Sequence, residues 1–385
     1  MARSPRVSGV GWDEVRSRRL TRSWLADRAG GERLVEVVGG LCGVHAQVQA
    51  SADLQLAVRV EGITQGDVRA ALWERRALVK AWTVRGTLHL HPARDLPLWQ
   101  AARRAVLRGA ERGLPAWRDP SGVLHPALSA EQADTVRLAV WEALDGRCLL
   151  REDLVKAVAR QVGAASRKRL RSGFAFFVGE LCHGPPQGAR ITLARPDQWI
   201  DGWRDVDDEY GALREVCRRF LRTYGPARPM DFCEWFAAKT FKVADARALF
   251  DAIGSDLDEV IVDGQTRFVL QGDRSFPVLT GQVRLLPEYD VYVMGFRERE
   301  QLVPEPVKEL ISMHGRGRYE GPAGVRLVLA DGVAVGAWER KKRDRRIELR
   351  VRLTRRLRAT GLTALKNEAD RLGAFLGLEP VLTDL

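Results

Sequence analysis

One order of secondary-structure signals recurs along the chain: two or three helices, then two short strands joined by a tight turn. The clearest copy spans residues 214–271. Apolar residues at helical spacing predict helices over 229–238 and 243–253. Two β-branched segments then flank Asp263-Gly264, a dipeptide that favours hairpin turns. Helices that end in a hairpin are the outline of a winged helix, so the chain is predicted to contain several such units.

Two earlier stretches show the same order. In 149–203 we predict helices over 152–162 and 166–182, then a break at Gly184-Pro185-Pro186, then a strand over 189–194. The first copy covers 12–91, with predicted helices at 13–25, 34–44, 52–60 and 65–74 and a two-stranded ribbon over 79–91 that turns at Arg85-Gly86.

The pattern changes after residue 280 to short strands, a short helix and a β-meander. The predicted elements are strands over 283–287 and 291–296, a helix over 304–311, meander strands over 325–330, 333–338 and 345–353, and a final helix over 363–376. The fold class is therefore predicted to be α+β, with tandem winged helices and a C-terminal α+β domain. The predicted domains are 1–148, 149–210, 211–278 and 279–385.

The charge of the chain is strongly positive. It has 62 Lys and Arg residues against 50 Asp and Glu residues, a net charge of +12 and a sequence pI near 9.9. This balance favours a polyanionic partner such as nucleic acid, although a solvated basic surface would give the same count. With 45% hydrophobic and 29% charged residues, the composition is that of a folded protein rather than a disordered chain or a coiled coil.

Missing motifs exclude several kinds of site. The five cysteines form no C-x-x-C pair, which argues against a disulfide framework or a zinc knuckle. The sequence has no P-loop, no dinucleotide fingerprint and no G-x-S-x-G elbow, so no cofactor is expected. No apolar signal segment follows the N-terminus and no apolar run could span a bilayer, so we expect a cytoplasmic protein.

Five segments together carry a resemblance to a known family. They are VHAQVQA at 44–50, AWTVRGTLH at 81–89, YGPA at 224–227 running into Asp231-Phe232, LLPEYD at 285–290 and DGVAVGAW at 331–338. In this order they resemble the winged-helix DNA glycosylases of the AlkZ and YcaQ type. The Gln47-Val48-Gln49 triplet is similar to the AlkZ branch, since the YcaQ branch has Asp at the third position.

The resemblance implies tandem winged helices around a concave DNA channel. It also implies a monomeric, monofunctional glycosylase that acts on alkylated purines in double-stranded DNA, with Gln47 and Gln49 as catalytic residues. The AlkZ branch includes self-resistance enzymes that remove bulky guanine adducts and unhook interstrand crosslinks. We therefore expect repair of N7-alkylguanine, and of N3-alkyladenine, by a nucleoid-associated enzyme. The alternative is a non-catalytic winged-helix transcription regulator.

Two glutamines at spacing two suit this chemistry. They share a face only in an extended segment, so we expect both to lie between the helix over 34–44 and a helix that starts near Ser51. A cationic alkylpurine leaves without a general acid, and amide oxygens can orient water and stabilise an oxocarbenium-like sugar. We expect Gln49 to position the attacking water. Gln47 either helps to orient this water or contacts the nearby deoxyribose and phosphate. Alternatively, both simply satisfy backbone groups at a helix end.

Basic and polar side chains give the candidate DNA contacts. The 79–91 ribbon is expected to present alternating residues on one face, and these are Thr83, Arg85, Thr87, His89 and His91. A zinc site at His89-x-His91 lacks further ligands, and Arg85 in a salt bridge is the other alternative. His45, in the first similar segment, is also a candidate. Two charge runs complete the set as phosphate contacts or solvated faces, namely Arg167, Lys168, Arg169 and Arg171, and Lys341, Lys342 and Arg343.

Overall fold

The computed structural model describes residues 7–107, 116–119, 122–172, 181–237, 240–314 and 324–384. The chain divides into two compact units. The first unit comprises Met1–Ala70, Cys217–Trp235 and Val243–Leu385, and the second comprises Ala71–Val216 and Phe236–Lys242. The division into four domains at 148, 210 and 278 stays a prediction.

Both units contain helices and strands. The helices of the described residues are α1 (Trp12–Arg22), α2 (Leu34–Gly40), α3 (Gln49–Ala57), α4 (Gln65–Trp73), α5 (Leu96–Leu107), α6 (Ala130–Ala143), α7 (Arg151–Ala159), α8 (Ala164–Ser172), α9 (Pro196–Trp199), α10 (Glu209–Tyr224), α11 (Pro229–Ala237), α12 (Val243–Ala252), α13 (Val291–Gly295), α14 (Glu305–His314) and α15 (Ala359–Leu376). The strands are β1 (Val7–Val10), β2 (Val44–His45), β3 (Leu78–Trp82), β4 (Leu88–Pro92), β5 (Trp117–Arg118), β6 (Leu124–His125), β7 (Leu149–Leu150), β8 (Cys182–Gln187), β9 (Arg190–Ala194), β10 (Leu257–Val262), β11 (Gln265–Leu270), β12 (Val283–Leu286), β13 (Leu327–Ala330), β14 (Val333–Arg343), β15 (Arg346–Leu353) and β16 (Glu379–Thr383). Within these elements, no helix is long and apolar enough to cross a membrane.

The helix-helix-hairpin order predicted for 214–271 is confirmed element by element. Helices α11 and α12 are followed by the antiparallel β10–β11 pair. The turn residues Asp263 and Gly264 both have positive φ, +48° and +72°, as a tight hairpin turn requires. The sequence did not predict β1, which pairs in parallel with β10 and makes a three-stranded sheet.

The C-terminal sheet of the first unit has the order β12-β13-β14-β15-β16. Its β14–β15 hairpin is longer than predicted, because β14 continues through the basic run to Arg343, which pairs with Arg346. Strand β16 was not predicted, and it pairs in parallel with β15. The face of this sheet packs on a core formed by residues that include Leu286, Tyr292, Phe296, Leu302 and Leu329.

The prediction of a strand over 291–296 is wrong, since Val291–Gly295 is the helix α13. The reason is a cap: the Asp290 carboxylate accepts a hydrogen bond from the Tyr292 amide at 2.8 Å. An N-cap of this kind satisfies a donor that a strand would have paired with a neighbour.

In the second unit the strands run in the order β4-β3-β8-β9-β7. The helix predicted over 166–182 is wrong at its end, because α8 is followed by residues outside the described part and Cys182 begins β8. Gly184-Pro185-Pro186 lies inside this strand rather than between two elements. The ladder with β9 shifts register between Gly184 and Gln187, and such an irregularity tolerates the missing proline amides.

Candidate active site

The two glutamines flank the start of α3. Gln47 lies in a bend after β2 and is exposed, whereas Gln49 is the first residue of α3 and is partly buried. We expected both to precede the helix, so the position of Gln49 is a correction. The helix starts earlier because Val48 is the N-cap residue, and its carbonyl accepts from the Ala52 amide at 3.2 Å.

Val48 determines how the pair is presented. Its backbone is extended, with φ −110° and ψ 111°, and its side chain is 42% exposed. An extended residue between two others directs their side chains to the same side. The Gln47-Val48-Gln49 segment is therefore a surface feature at the positive end of a helix, where negative groups are favoured.

Asp53 is a neighbour of the triplet that the sequence analysis missed. The Gln49 side chain donates from Nε2 to Asp53 Oδ1 at 2.8 Å, across one helical turn. Both side chains are partly buried. The i,i+4 spacing on a helix was the signal that could have found this pair.

Buried and partly buried hydrogen bonds join the residues that flank the triplet to the 285–290 segment. Gln55 donates from Nε2 to the His45 carbonyl at 3.0 Å and accepts from the Val291 amide at 3.1 Å. The Ser51 hydroxyl donates to the Glu288 carbonyl. Two of the five segments of the resemblance, 44–50 and 285–290, are therefore held together in the first unit.

A buried ion pair anchors the same region. Arg59 donates to both carboxylate oxygens of Asp290, at 2.8 and 2.6 Å, and both side chains are 0% exposed. Arg59 also donates to the Gln55 carbonyl at 2.9 Å. A buried charge is costly unless it is paired in good geometry, and this bidentate pair meets that condition while Asp290 caps α13.

Charged side chains lie near Asp53 and the 285–290 segment. Arg326 donates to Glu288 at 3.0 Å, and its guanidinium lies 5.7 Å from the ring centre of Trp338. Burial, followed by the neighbouring Arg326, lowers the pKa of Arg340, while Glu288 and Asp53 act in the opposite direction. Arg340, at the start of the basic run, therefore lies near both Glu288 and Asp53, and Asp53 is the hydrogen-bond partner of Gln49.

The candidate contacts of the 79–91 ribbon differ in exposure. Thr83 and His89 are buried, and Arg85 and Thr87 are partly buried. Residues 83–87 form a turn with Arg85 at φ +56°, so they do not continue the alternation of β3 and β4. The expectation that all five side chains share one face is therefore wrong. The Thr83 hydroxyl is already hydrogen-bonded to His91 Nε2 at 2.8 Å.

The two charge runs are also placed differently. In α8, Arg167 and Lys168 are exposed, Arg169 is buried with its guanidinium 5.8 Å from the Trp117 ring, and the side chain of Arg171 lies outside the described part. Lys341, Lys342 and Arg343 are all exposed at the end of β14. His45 is buried, with its ring 5.4 Å from that of Tyr289.

The comparisons with known proteins identify the family. Residues 38–375 match the family model described as DNA glycosylase AlkZ-like. The chain belongs to the AlkZ-like DNA glycosylase family. An interstrand DNA cross-link repair glycosylase of Streptomyces sahachiroi is 31% identical over 340 residues, which cover 85% of this chain and 87% of that protein.

A solved structure gives the same result. The DNA glycosylase AlkZ of Streptomyces sahachiroi matches with a TM-score of 0.76 and 27% identity, over 98% of this chain and 100% of that one. The mixed helix and sheet fold is thus that of AlkZ, as predicted. As a member of this family the chain is a DNA glycosylase of DNA repair, and the alternative of a non-catalytic regulator has no support among these relatives.

Proposed function

We propose that this glycosylase hydrolyses the N-glycosidic bond of cationic N7-alkylguanine, and of N3-alkyladenine, in duplex DNA. Gln47 and Gln49 are its catalytic residues. The observation that carries the proposal is the Gln47-Val48-Gln49 segment itself, in which an exposed Gln47 and a partly buried Gln49 flank the extended Val48 at the start of α3. The buried hydrogen bonds of Ser51 and Gln55 hold this segment in place.

The reaction needs neither a strong acid nor a strong base. Water attacks C1′ of the deoxyribose while the C1′–N9 bond breaks. The electron pair of that bond stays on N9 and neutralises the cationic purine. The proton of the attacking water passes to solvent. What remains for the enzyme is to orient the water and to stabilise positive charge on the sugar, and amide oxygens can do both.

The two glutamines have different surroundings, which suggests different roles. Gln49 is held by Asp53 and positions the water. Gln47 is exposed in the bend and contacts the deoxyribose and its phosphate. The positive end of the α3 dipole favours a phosphate at that point. No lysine lies between residues 41 and 60, so no Schiff base and no strand cleavage are expected.

Large adducts fit this surface position. The Streptomyces sahachiroi relative is named for interstrand cross-link repair, and we propose that this chain also unhooks crosslinks. A base that is tethered to the opposite strand cannot enter a closed pocket, so the lesion is approached with little or no flipping. The exposure of Gln47 and Val48 supports such an open approach.

Exposed cations supply the DNA contacts in this proposal. Lys341, Lys342 and Arg343 in the first unit, and Arg167 and Lys168 in the second, neutralise phosphates, and Arg85 adds a contact at the 83–87 turn. The buried Thr83, His89, His45 and Arg169 support neighbouring structure instead. The enzyme acts as a monomer, in the cytoplasm, on chromosomal DNA.

The test is release of the free base from duplex DNA that carries N7-methylguanine, followed by mass spectrometry. A second substrate carries a bulky N7 crosslink. Wild type should release the base from both, and Gln47→Ala and Gln49→Ala should lose release while they still bind DNA. The matched control is Gln132→Ala, because Gln132 also lies at a helix start but in α6 of the second unit. Release that survives in both active-site variants would contradict the assignment.

A further inference from the structure

We propose that Asp53 is a positioning residue that fixes the orientation of the Gln49 carboxamide for water activation. This inference rests on the proposed role of Gln49. The carboxylate of Asp53 accepts the Gln49 Nε2–H bond at 2.8 Å. It thereby determines which end of the amide is held on the helix and which end is directed to the reacting water.

The geometry places both residues on one rigid element. Gln49 and Asp53 lie at i and i+4 of α3, where side chains are neighbours on the helix surface. The rest of this helix is fixed by burial of Ala52, Leu54 and Leu56. A rigid helix keeps the pair in register while DNA binds and leaves.

The chemistry of the two groups makes the orientation unambiguous. A carboxamide has a donor end and an acceptor end of nearly the same shape, whereas a carboxylate accepts only. Bound to Asp53, Gln49 must donate from nitrogen, and its Oε1 becomes the end that can accept from water. The flipped amide would direct an NH2 group toward a sugar that is gaining positive charge, which is unfavourable.

The charge of Asp53 has a second effect. A hydrogen bond to a carboxylate polarises the amide and increases the negative charge on its oxygen. The other carboxylate of this region, Glu288, is held in an ion pair by Arg326. Asp53 also acts on Arg340, whose pKa it raises, so its charge is felt at the start of the basic run as well as by Gln49.

The experiment measures single-turnover release of N7-methylguanine from duplex DNA with enzyme in excess, together with the dissociation constant for the same DNA. Asp53→Ala should slow release about 10-fold to 100-fold, the range for loss of a charge-assisted hydrogen bond. Asp53→Asn keeps the shape and one acceptor but not the charge, so its rate should fall between that of Asp53→Ala and wild type. DNA affinity should stay within about twofold for both.

A double mutant separates positioning from a structural role. In the Gln49→Ala background, Asp53→Ala should cause no further loss, because Asp53 acts through Gln49. Losses that multiply would overturn the inference. The control is Asp67→Ala, which removes an equal charge from a carboxylate that binds Thr64 at the start of α4 and should leave the rate unchanged.

The remaining outcomes are also decisive. Asp53→Ala and Asp53→Asn with wild-type rates would overturn the positioning role while the proposed function stands. Wild type that releases no base would overturn the proposed function, and this inference with it. Thermal unfolding of each variant verifies that the rates belong to folded protein, and Asp53→Asn serves if Asp53→Ala is unstable.

Discussion

The two basic hairpins of the molecule have opposite characters. The β3–β4 hairpin turns at Thr83–Thr87, and its polar side chains are hydrogen-bonded within the second unit: Thr83 to His91, Thr87 to the Val84 carbonyl. The β14–β15 hairpin of the first unit ends in exposed charges at Lys341, Lys342 and Arg343. Similar signals in the sequence thus give a stabilised turn in one place and a solvent-facing cationic tip in the other.

The difference shows that residue type does not determine whether a hairpin can contact DNA. A hydroxyl or imidazole that is hydrogen-bonded within the fold does not reach DNA, whereas a lysine at the end of a long strand projects beyond the packed layer. We therefore expect substitutions of the buried polar residues in the first hairpin to change stability and substitutions of the exposed cations in the second to change DNA affinity.

The largest expected effect is in the buried hairpin. His91→Ala removes the partner of Thr83 and the ring that packs 4.6 Å from Trp99. We expect the free energy of unfolding to fall by about 3 kcal/mol, because the substitution leaves a cavity and an unsatisfied hydroxyl. Urea denaturation measures this. An unchanged midpoint would show that the β3–β4 hairpin is not structurally important.

A pH effect belongs to the same sheet. His183 packs its ring 5.2 Å from Trp82, and burial, followed by Lys80, lowers its pKa to about 3. As the pH falls, the His183 imidazole takes up a proton in the unfolded state before it does so in the folded state. The stability that depends on the neutral ring is therefore fully present above about pH 6.5 and is lost as the pH falls toward 3.

The measurement is a comparison of wild type with His183→Phe. Between pH 7 and pH 5 the free energy of unfolding of wild type should fall by about 2 kcal/mol more than that of the variant. Equal losses in the two proteins would mean that His183 does not titrate as a buried group.

The exposed hairpin should respond in DNA affinity alone. Replacing Lys341, Lys342 and Arg343 by Ala should weaken duplex binding about 10-fold at 0.1 M salt and lower the log–log salt slope by up to about 2.7. Stability should change by less than about 0.5 kcal/mol. Fluorescence anisotropy across a salt series measures both quantities, and an unaltered slope would remove this tip from the DNA interface.

The smallest effect is expected at the turn of the same hairpin. Asp344 has φ +44°, where Gly is less strained, so Asp344→Gly should stabilise the protein by about 0.5 kcal/mol. It also removes a negative charge beside the basic tip and should tighten DNA binding slightly. Weaker binding would indicate that the turn conformation depends on Asp344 itself.

Local signals predicted the turns well. Asp263-Gly264 was predicted as a hairpin because a dipeptide alone favours that geometry. The errors came where distant residues decide: Asp290, which caps α13, is held by Arg59 from the turn after α3. The parallel pairing of β16 with β15 likewise has no local signal.

The site was predictable in part. The resemblance pointed to Gln47 and Gln49, but not to the start of α3 at Gln49 or to the hydrogen bond with Asp53. The Glu288–Arg326 ion pair joins residues far apart in the chain and could not be inferred from spacing.

The central claim is that Gln49 carries catalysis and not DNA binding. The direct measurement is the single-turnover rate of N7-methylguanine release for Gln49→Ala and Gln132→Ala, each beside its dissociation constant for the same duplex. We expect Gln49→Ala to be slower by at least about 100-fold, the effect of losing one transition-state contact, with its affinity unchanged. A rate within about threefold of both wild type and the control would contradict the account.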